Sequence, residues 1–353
     1  ARRSLMRETV GQIVNGMAAQ TVVVTLICAI GWLSIAGTVG PVEAVVSIGL
    51  LLRFTQILVD IGALASAFET RRPVLDLSHE ILSAPELPAP DGRRSVDEAP
   101  ASSGASVALE DVSFSYEADR PVLQDVSFRV DPGTMTAIVG PSGCGKTTIA
   151  RLIARFYDVD AGSVRVGAGD VRDWDTADLM AQLSLVFQDV YLFDDTLEAN
   201  VRVGNPDATR ADIEEAARLS GVDEIVARLP LGWNTPVGEA GRALSGGERQ
   251  RVSVARALLK AAPVVLFDEA TSALDPENES RVTDAMAALQ RDATLIVIAH
   301  KLDTITAADQ IVVLSETGRV AQIGTHEQLY AQENGQYRAF WDARTRAAGW
   351  TLV

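Results

Sequence analysis

The chain has 353 residues, 47% of them hydrophobic, and carries 31 Lys+Arg against 47 Asp+Glu for a formal net charge of −16. That length accommodates two or three domains with real apolar cores, and so acidic a balance argues against a nucleic-acid surface, which needs a basic patch. Cys28 lies in an apolar segment and Cys144 in a glycine-rich one, settings too different to suggest a disulfide.

Residues 13–39 form an apolar stretch without a single charge, long enough to cross a bilayer, which takes about 20 residues. Gly40 and Pro41 break it, and a second apolar stretch, 42–64, returns with Glu43, Arg53 and Asp60 as its only charges. Together they predict a two-helix membrane hairpin. A buried hairpin of a soluble protein is the alternative; a signal peptide does not fit, because the apolar stretch is doubled and lacks a cleavage-like site. Residues 68–83 read as a helix continuing out of the membrane, with Arg71 and Arg72 as a cytoplasmic flank.

Composition then shifts. Residues 85–106 are rich in Pro, Ala, Ser and charge with no apolar period, which predicts a flexible linker. The expected organisation is therefore a membrane segment over 1–84, a linker over 85–106 and a second domain over 107–353. In that domain, strands are predicted at 107–116, 122–130 and 136–139. A helix is expected at 148–156 and a helix-rich insert at 209–229, with further strands at 263–267, 294–299 and 310–315. The alternation implies an α/β domain, with helices on both sides of a mostly parallel sheet.

Two stretches carry chemistry. Gly140, Pro141, Ser142, Gly143, Cys144, Gly145, Lys146 and Thr147 fit the GxxxxGK[ST] phosphate loop, between a strand and a helix as that motif requires. Glycines let the backbone wrap closely round phosphates, the following helix presents its positive end, Lys146 would sit on the β/γ-phosphates, and Thr147 would offer a hydroxyl to Mg²⁺. Downstream, the apolar strand 263–267 ends in Asp268 and Glu269. Adjacent carboxylates where a buried strand emerges suggest one group to hold Mg²⁺ and one to orient or deprotonate an attacking water. A charged strand-to-loop junction is the alternative.

Residues 244–250, LSGGERQ, narrow this to one family. From about 107 to 337 the chain resembles the ATP-binding cassette (ABC) ATPases, whose signature is LSGGQ followed by a helix, with Glu248 here in place of the glutamine. The resemblance implies a P-loop nucleotide-binding domain with a mixed sheet and a helical subdomain, and it implies roles for particular residues. Tyr116 would stack on adenine, and Gln188 would sense Mg²⁺ and touch the membrane domain. The 235–241 stretch, TPVGEAG, resembles the segment ahead of the signature in exporter-type cassettes; Ser272 to Asp275 match the D-loop, and His300 the switch histidine near the γ-phosphate. ATP would be bound by Tyr116, residues 140–148 (Thr148 included), Gln188, Asp268 and His300 of one cassette. Ser245, Gly246 and Gly247 of another would cap it, with Glu269 as general base or water-positioning group.

In exporter-fold members six membrane helices precede each cassette, and this chain resembles the last two plus the cassette. It begins without Met, just before what would be the fifth helix, and is expected to be a fragment of a longer subunit. The expected partners are the other membrane helices, a second half-transporter (identical or different), the lipid bilayer and a small-molecule cargo. The expected place is the cell membrane, with the cassette in the cytoplasm. Arginine at bilayer depth costs about 2.5–3.5 kcal/mol on insertion scales, so Arg53 should face protein or water. Gln56 and Asp60 fall near the same helical face. These three are candidates for lining the translocation cavity, with Arg53 meeting an anionic group of the cargo; the rival is a pair with a carboxylate on a neighbouring helix. The AHKLDT run around His300 departs from the AHRLST usual in drug and lipid exporters. Together with an arginine-rich, lysine-poor composition, it resembles actinobacterial iron-siderophore transporters that import through an exporter fold. Export of a drug, lipid or peptide is the alternative, and a cassette ATPase unconnected with transport is an alternative of a different class.

Overall fold

The computed structural model describes residues 20–83, 87–89, 104–117, 119–268, 276–299 and 301–348. The chain divides into two compact units, Ala1–Glu86 and Leu87–Val353.

In the first unit, helix α1 (Gln20–Ile35) is followed by a tight turn and helix α2 (Pro41–Leu82). Pro41 opens α2, where its missing N–H costs nothing, and the Glu43 side chain reaches back to accept from Gly40 N–H at 3.2 Å. The segments 42–64 and 68–83 are thus one helix, running through Pro73. Among the described residues, α2 is the one helix long and apolar enough to cross a membrane, over Pro41–His79. Val42, Val45, Leu50, Phe54, Leu58, Ile61 and Leu64 are all exposed on it, and apolar surface of that extent calls for a cover of lipid or protein. Of its candidate polar residues, Gln56 donates to Asp60 Oδ1 at 3.0 Å along the helix, while Arg53 is exposed on the chain.

The second unit holds two sheets. Strands β1 (Val107–Glu117), β2 (Arg120–Val130), β4 (Ala161–Val166) and β5 (Gly169–Asp170) pair antiparallel in the order β2-β1-β4-β5. Strands β3 (Met135–Val139), β6 (Leu183–Val186), β7 (Val264–Asp268), β8 (Thr294–Ile298), β9 (Gln310–Leu314) and β10 (Val320–Gly324) form the second, in the order β10-β9-β3-β8-β7-β6. It is parallel except for β10, antiparallel on the β9 edge. The mostly parallel sheet agrees with the sequence expectation; the separate antiparallel sheet is an addition that strand–helix alternation does not reveal.

Successive residues of the central strands go to opposite cores. Ile138, Leu266, Ile296 and Val312 pack towards the antiparallel sheet and helix α3 (Lys146–Ile153); Val139, Phe267, Val297 and Val313 pack with helices α9 (Pro276–Leu289) and α12 (Gln336–Ala348). Burial on both faces explains why these strands read as unbroken apolar runs. Helix α4 (Thr176–Gln182) precedes β6, and the short helices α10 (Leu302–Thr306) and α11 (His326–Tyr330) flank β9 and β10. A third core, with Leu192, Leu197, Ile213, Ile225, Val237 and Val252, gathers α5 (Leu197–Arg202), α6 (Arg210–Ser220), α7 (Val222–Arg228) and α8 (Gly246–Lys260) into a helical subdomain.

Candidate nucleotide-binding site

The carboxyl ends of β3, β8, β7 and β6 lie side by side, the edge where parallel α/β sheets bind ligands. From β3 the chain enters the 140–147 loop and then α3, which begins at Lys146, two residues before the predicted start. Gly145 caps α3 in a left-handed conformation, φ +98°, with buried Leu123 directly beneath it. A helix that opens after a glycine turn offers its first N–H groups and its positive end to an anion. Lys146 is buried, and its ammonium donates to the carbonyls of Gly140 (3.1 Å) and Pro141 (2.8 Å). Carbonyl partners hold the side chain across the loop without neutralising it. Cys144 is buried within the loop, and burial pushes its thiol up, against the pull of the nearby Lys146 charge.

Asp268 ends β7 and is buried; Thr147 Oγ1 donates to its Oδ1 at 3.3 Å across the top of the sheet. Gln188 lies exposed, two residues past the end of β6. Glu269, the D-loop residues Ser272 to Asp275, and His300 lie outside the described residues; they follow directly from the ends of β7 and β8.

Tyr116, near the end of β1, stands edge-on to Phe114 (4.9 Å) and Tyr157 (5.1 Å) and stays 43% exposed. Its hydroxyl lies 3.3 Å from Thr148 Oγ1 and accepts from Arg151 Nη1 at 3.2 Å. Two residues of the phosphate-loop helix thereby fix the aromatic ring. Arg151 is missed by sequence reasoning, for an arginine one turn after Thr147 carries no local signal.

Ser245, Gly246 and Gly247 sit on the helical subdomain at the start of α8, with Ser245 and Gly246 exposed. The Ser245 side chain accepts from Glu248 N–H, and Glu248 in turn accepts from Ser245 N–H at 2.8 Å, a reciprocal cap. The structure thus collects Gly140 to Thr148 and Asp268 at one sheet edge with Tyr116 beside it, and leaves the signature residues on a different subdomain, facing outwards. One further tie joins that subdomain to the segment after β6, and another braces it internally. Gln250 on α8 donates to the Phe187 carbonyl beside Gln188 (3.4 Å), and the Arg256 guanidinium bonds Tyr191 O, Asn200 O and Asn200 Oδ1 at 2.7–2.9 Å.

A phosphate loop between a central parallel strand and a helix, with a threonine hydroxyl on a buried strand-end aspartate, defines a P-loop nucleotide-binding domain. Residues 123–272 match the family model described as ABC transporter, so this part of the chain is an ABC transporter ATP-binding domain. The chain is 45% identical over 350 residues to the mycobactin import ATP-binding/permease protein IrtB of Mycolicibacterium thermoresistibile, covering 99% of this chain and 59% of that protein. To the mycobactin import ATP-binding/permease protein IrtA of Mycolicibacterium smegmatis it is 48% identical over 243 residues, 69% of this chain and 28% of the relative. A bacterial Atm1-family ABC exporter solved with ATP bound superposes with a TM-score of 0.70 at 37% identity, over 85% of this chain and 53% of that one. The chain therefore spans about three fifths of the length of its IrtB relative.

Proposed function

We propose that this chain is the ATP-hydrolysing part of an exporter-fold ABC transporter subunit that, with a second half-transporter, moves an iron-siderophore across the cell membrane into the cytoplasm. The observation that carries transport is the reach of the likeness: it extends over 99% of the chain, α1 and α2 included, to a protein named for mycobactin import. A cassette ATPase unconnected with membranes would match over its nucleotide domain alone.

In this reading ATP lies on the 140–148 loop with adenine against Tyr116, and Lys146 turns from the Gly140 and Pro141 carbonyls to the phosphates. The Thr147 hydroxyl and the Asp268 carboxylate are hard oxygen donors at 3.3 Å, a set suited to Mg²⁺, with Gln188 as a further oxygen ligand. Mg²⁺, when bound, would offset charge developing on the transferred phosphoryl group. Glu269 orients or deprotonates the attacking water, and His300 reaches the γ-phosphate. Ser245, Gly246 and Gly247 face away from their own loop to cap the nucleotide on a second cassette, so one chain alone completes no site. Closure on ATP and reopening after hydrolysis move the attached helices, which alternates access to the cargo. Arg53, Gln56 and Asp60 line that path.

Export is a second reading, favoured by the 37% identity to a structure named as an exporter. A test of the ATPase reading is turnover by the full complex with wild-type chain and with Glu269→Gln. The variant should bind ATP with Mg²⁺ but hydrolyse it at least about 100-fold more slowly, the size of loss expected for an essential acid–base group. Equal turnover by the two would remove Glu269 from the chemistry.

A further inference from the structure

The N-terminus of α8 is braced by charge. Glu248 occupies the third position of the helix, and both of its carboxylate oxygens are engaged: Oε2 accepts from Ser245 N–H at 2.8 Å, and Oε1 pairs with Arg228, the last residue of α7. The Glu248 side chain is only 12% exposed, whereas Arg228 is 61% exposed. Burial pushes the Glu248 carboxyl up, but the hydrogen bonds from Ser245 and the Arg228 and Arg251 guanidinia outweigh it and hold the group below the ordinary carboxylate value. It stays ionised at neutral pH.

One turn away the polarity is reversed. Glu224 on α7 accepts from Arg251 on α8 at 3.0 Å and also pairs with Arg281 on α9. Arg251 donates again to the Gly221 carbonyl at 3.0 Å. Two crossed ion pairs, Arg228–Glu248 and Glu224–Arg251, therefore lock α7 to the first two turns of α8, and Arg281 extends the lock to α9. A glutamine at 248 would still cap Ser245, but it would present no charge to Arg228 and none to the positive end of α8.

We infer that Glu248 and Arg228 are positioning residues for Ser245, fixing the signature serine at the angle it needs to cap ATP bound by the partner cassette. The inference rests on the reading, under Proposed function, that Ser245 acts in trans. It also accounts for glutamate where the family signature has glutamine: the acid is needed because α7 supplies an arginine. Since Ser245 acts on the partner's nucleotide, loss of the brace impairs turnover without weakening ATP binding on this chain's own phosphate loop.

The experiment uses the full complex in proteoliposomes. It compares Glu248→Gln, Arg228→Gln, the double variant, Arg228→Lys and Ser245→Ala for ATPase kcat, for ATP affinity at the Lys146 loop and for thermal unfolding. The expected result is a roughly fivefold fall in kcat for Glu248→Gln and for Arg228→Gln, the scale of a partly buried pair. The double variant should be no worse than either single, ATP affinity should change less than about twofold, and Arg228→Lys should recover most of the activity. If Ser245→Ala cripples turnover while Glu248→Gln and Arg228→Gln match wild type, the brace is dispensable and the inference falls alone. Should Ser245→Ala itself turn over normally, the trans-capping reading beneath it fails. A parallel loss of unfolding temperature and ATP affinity in the two glutamine variants would mark a merely structural pair and also overturn the inference.

Discussion

Two glycines of the phosphate loop separate backbone strain from crowding. Gly143 and Gly145 both have left-handed φ, +81° and +98°, but a Cβ on Gly143 would meet nothing within 4 Å. On Gly145 it would sit 2.5 Å from Leu123 Cδ2 and 3.3 Å from Leu123 Cγ and Val122 Cγ1. Leu123 is fully buried in the core beneath the loop and cannot swing aside. An L-residue in the left-handed region costs about 1–2 kcal/mol, which is the whole expected effect of Gly143→Ala. Overpacking a filled core adds about 1–3 kcal/mol, bringing Gly145→Ala to roughly 2–5 kcal/mol. Because phosphate binding requires this loop conformation, ATP affinity should fall by roughly 5- to 30-fold for Gly143→Ala and by at least about 30-fold for Gly145→Ala. Displacement of a fluorescent nucleotide from the purified complex measures both, with thermal unfolding to confirm that the domain remains folded. Equal losses for the two variants would refute the argument, since it assigns their difference to Leu123.

Tyr116→Phe removes the hydroxyl link to Thr148 and Arg151 but keeps the ring, so ATP affinity should change less than about threefold; Tyr116→Ala removes the stacking face and should weaken binding about five- to tenfold in a nucleotide titration. Cys144, whose thiol is raised by burial, should resist maleimide at neutral pH in the folded complex and react fully after denaturation, as read by mass spectrometry. A raised folded value also means that the neutral thiol stabilises the fold below the ordinary cysteine range, and that this contribution is lost as pH rises through the folded value. Unfolding temperature should therefore drop less steeply at alkaline pH in Cys144→Ala than in wild type. Arg155 is buried and donates to Pro88 O (2.8 Å), Trp174 O (3.4 Å) and Asp158 Oδ1 (3.1 Å), so Arg155→Met strands three acceptors. It should cost about 2–4 kcal/mol and speed proteolysis between 85 and 106, where wild type is anchored at Pro88.

The phosphate loop was legible because each residue type answers a backbone demand: glycine for left-handed φ, lysine for charge, threonine for a hydroxyl at the helix start. The strand before Asp268 was legible because burial on both faces leaves only apolar residues. Less could be read of β4 and β5, which are short: only Val164 and Val166 alternate as buried apolar residues, β4 joins its sheet through distant β1, and β5 joins through β4. The buried Arg155 and Arg251 and the half-buried Arg256 were illegible for a different reason. Arg155, Arg251 and Arg256 belong to a residue type normally found at the surface, and their acceptors are carbonyls and carboxylates 3 to 67 residues away. Glu248 lies between these cases: Ser-x-x-Glu announces the cap, but nothing in the sequence announces Arg228 as its second partner.

The central claim, that this cassette drives siderophore entry, is tested most directly with ferric siderophore carrying radioactive iron, offered to proteoliposomes that hold the full complex, with Glu269→Gln as the inactive control. The account predicts ATP-dependent arrival of iron on the cassette side, abolished in Glu269→Gln. Accumulation on the side opposite the cassettes would reverse the direction to export, and a wild-type complex that hydrolyses ATP but moves no siderophore would contradict the claim.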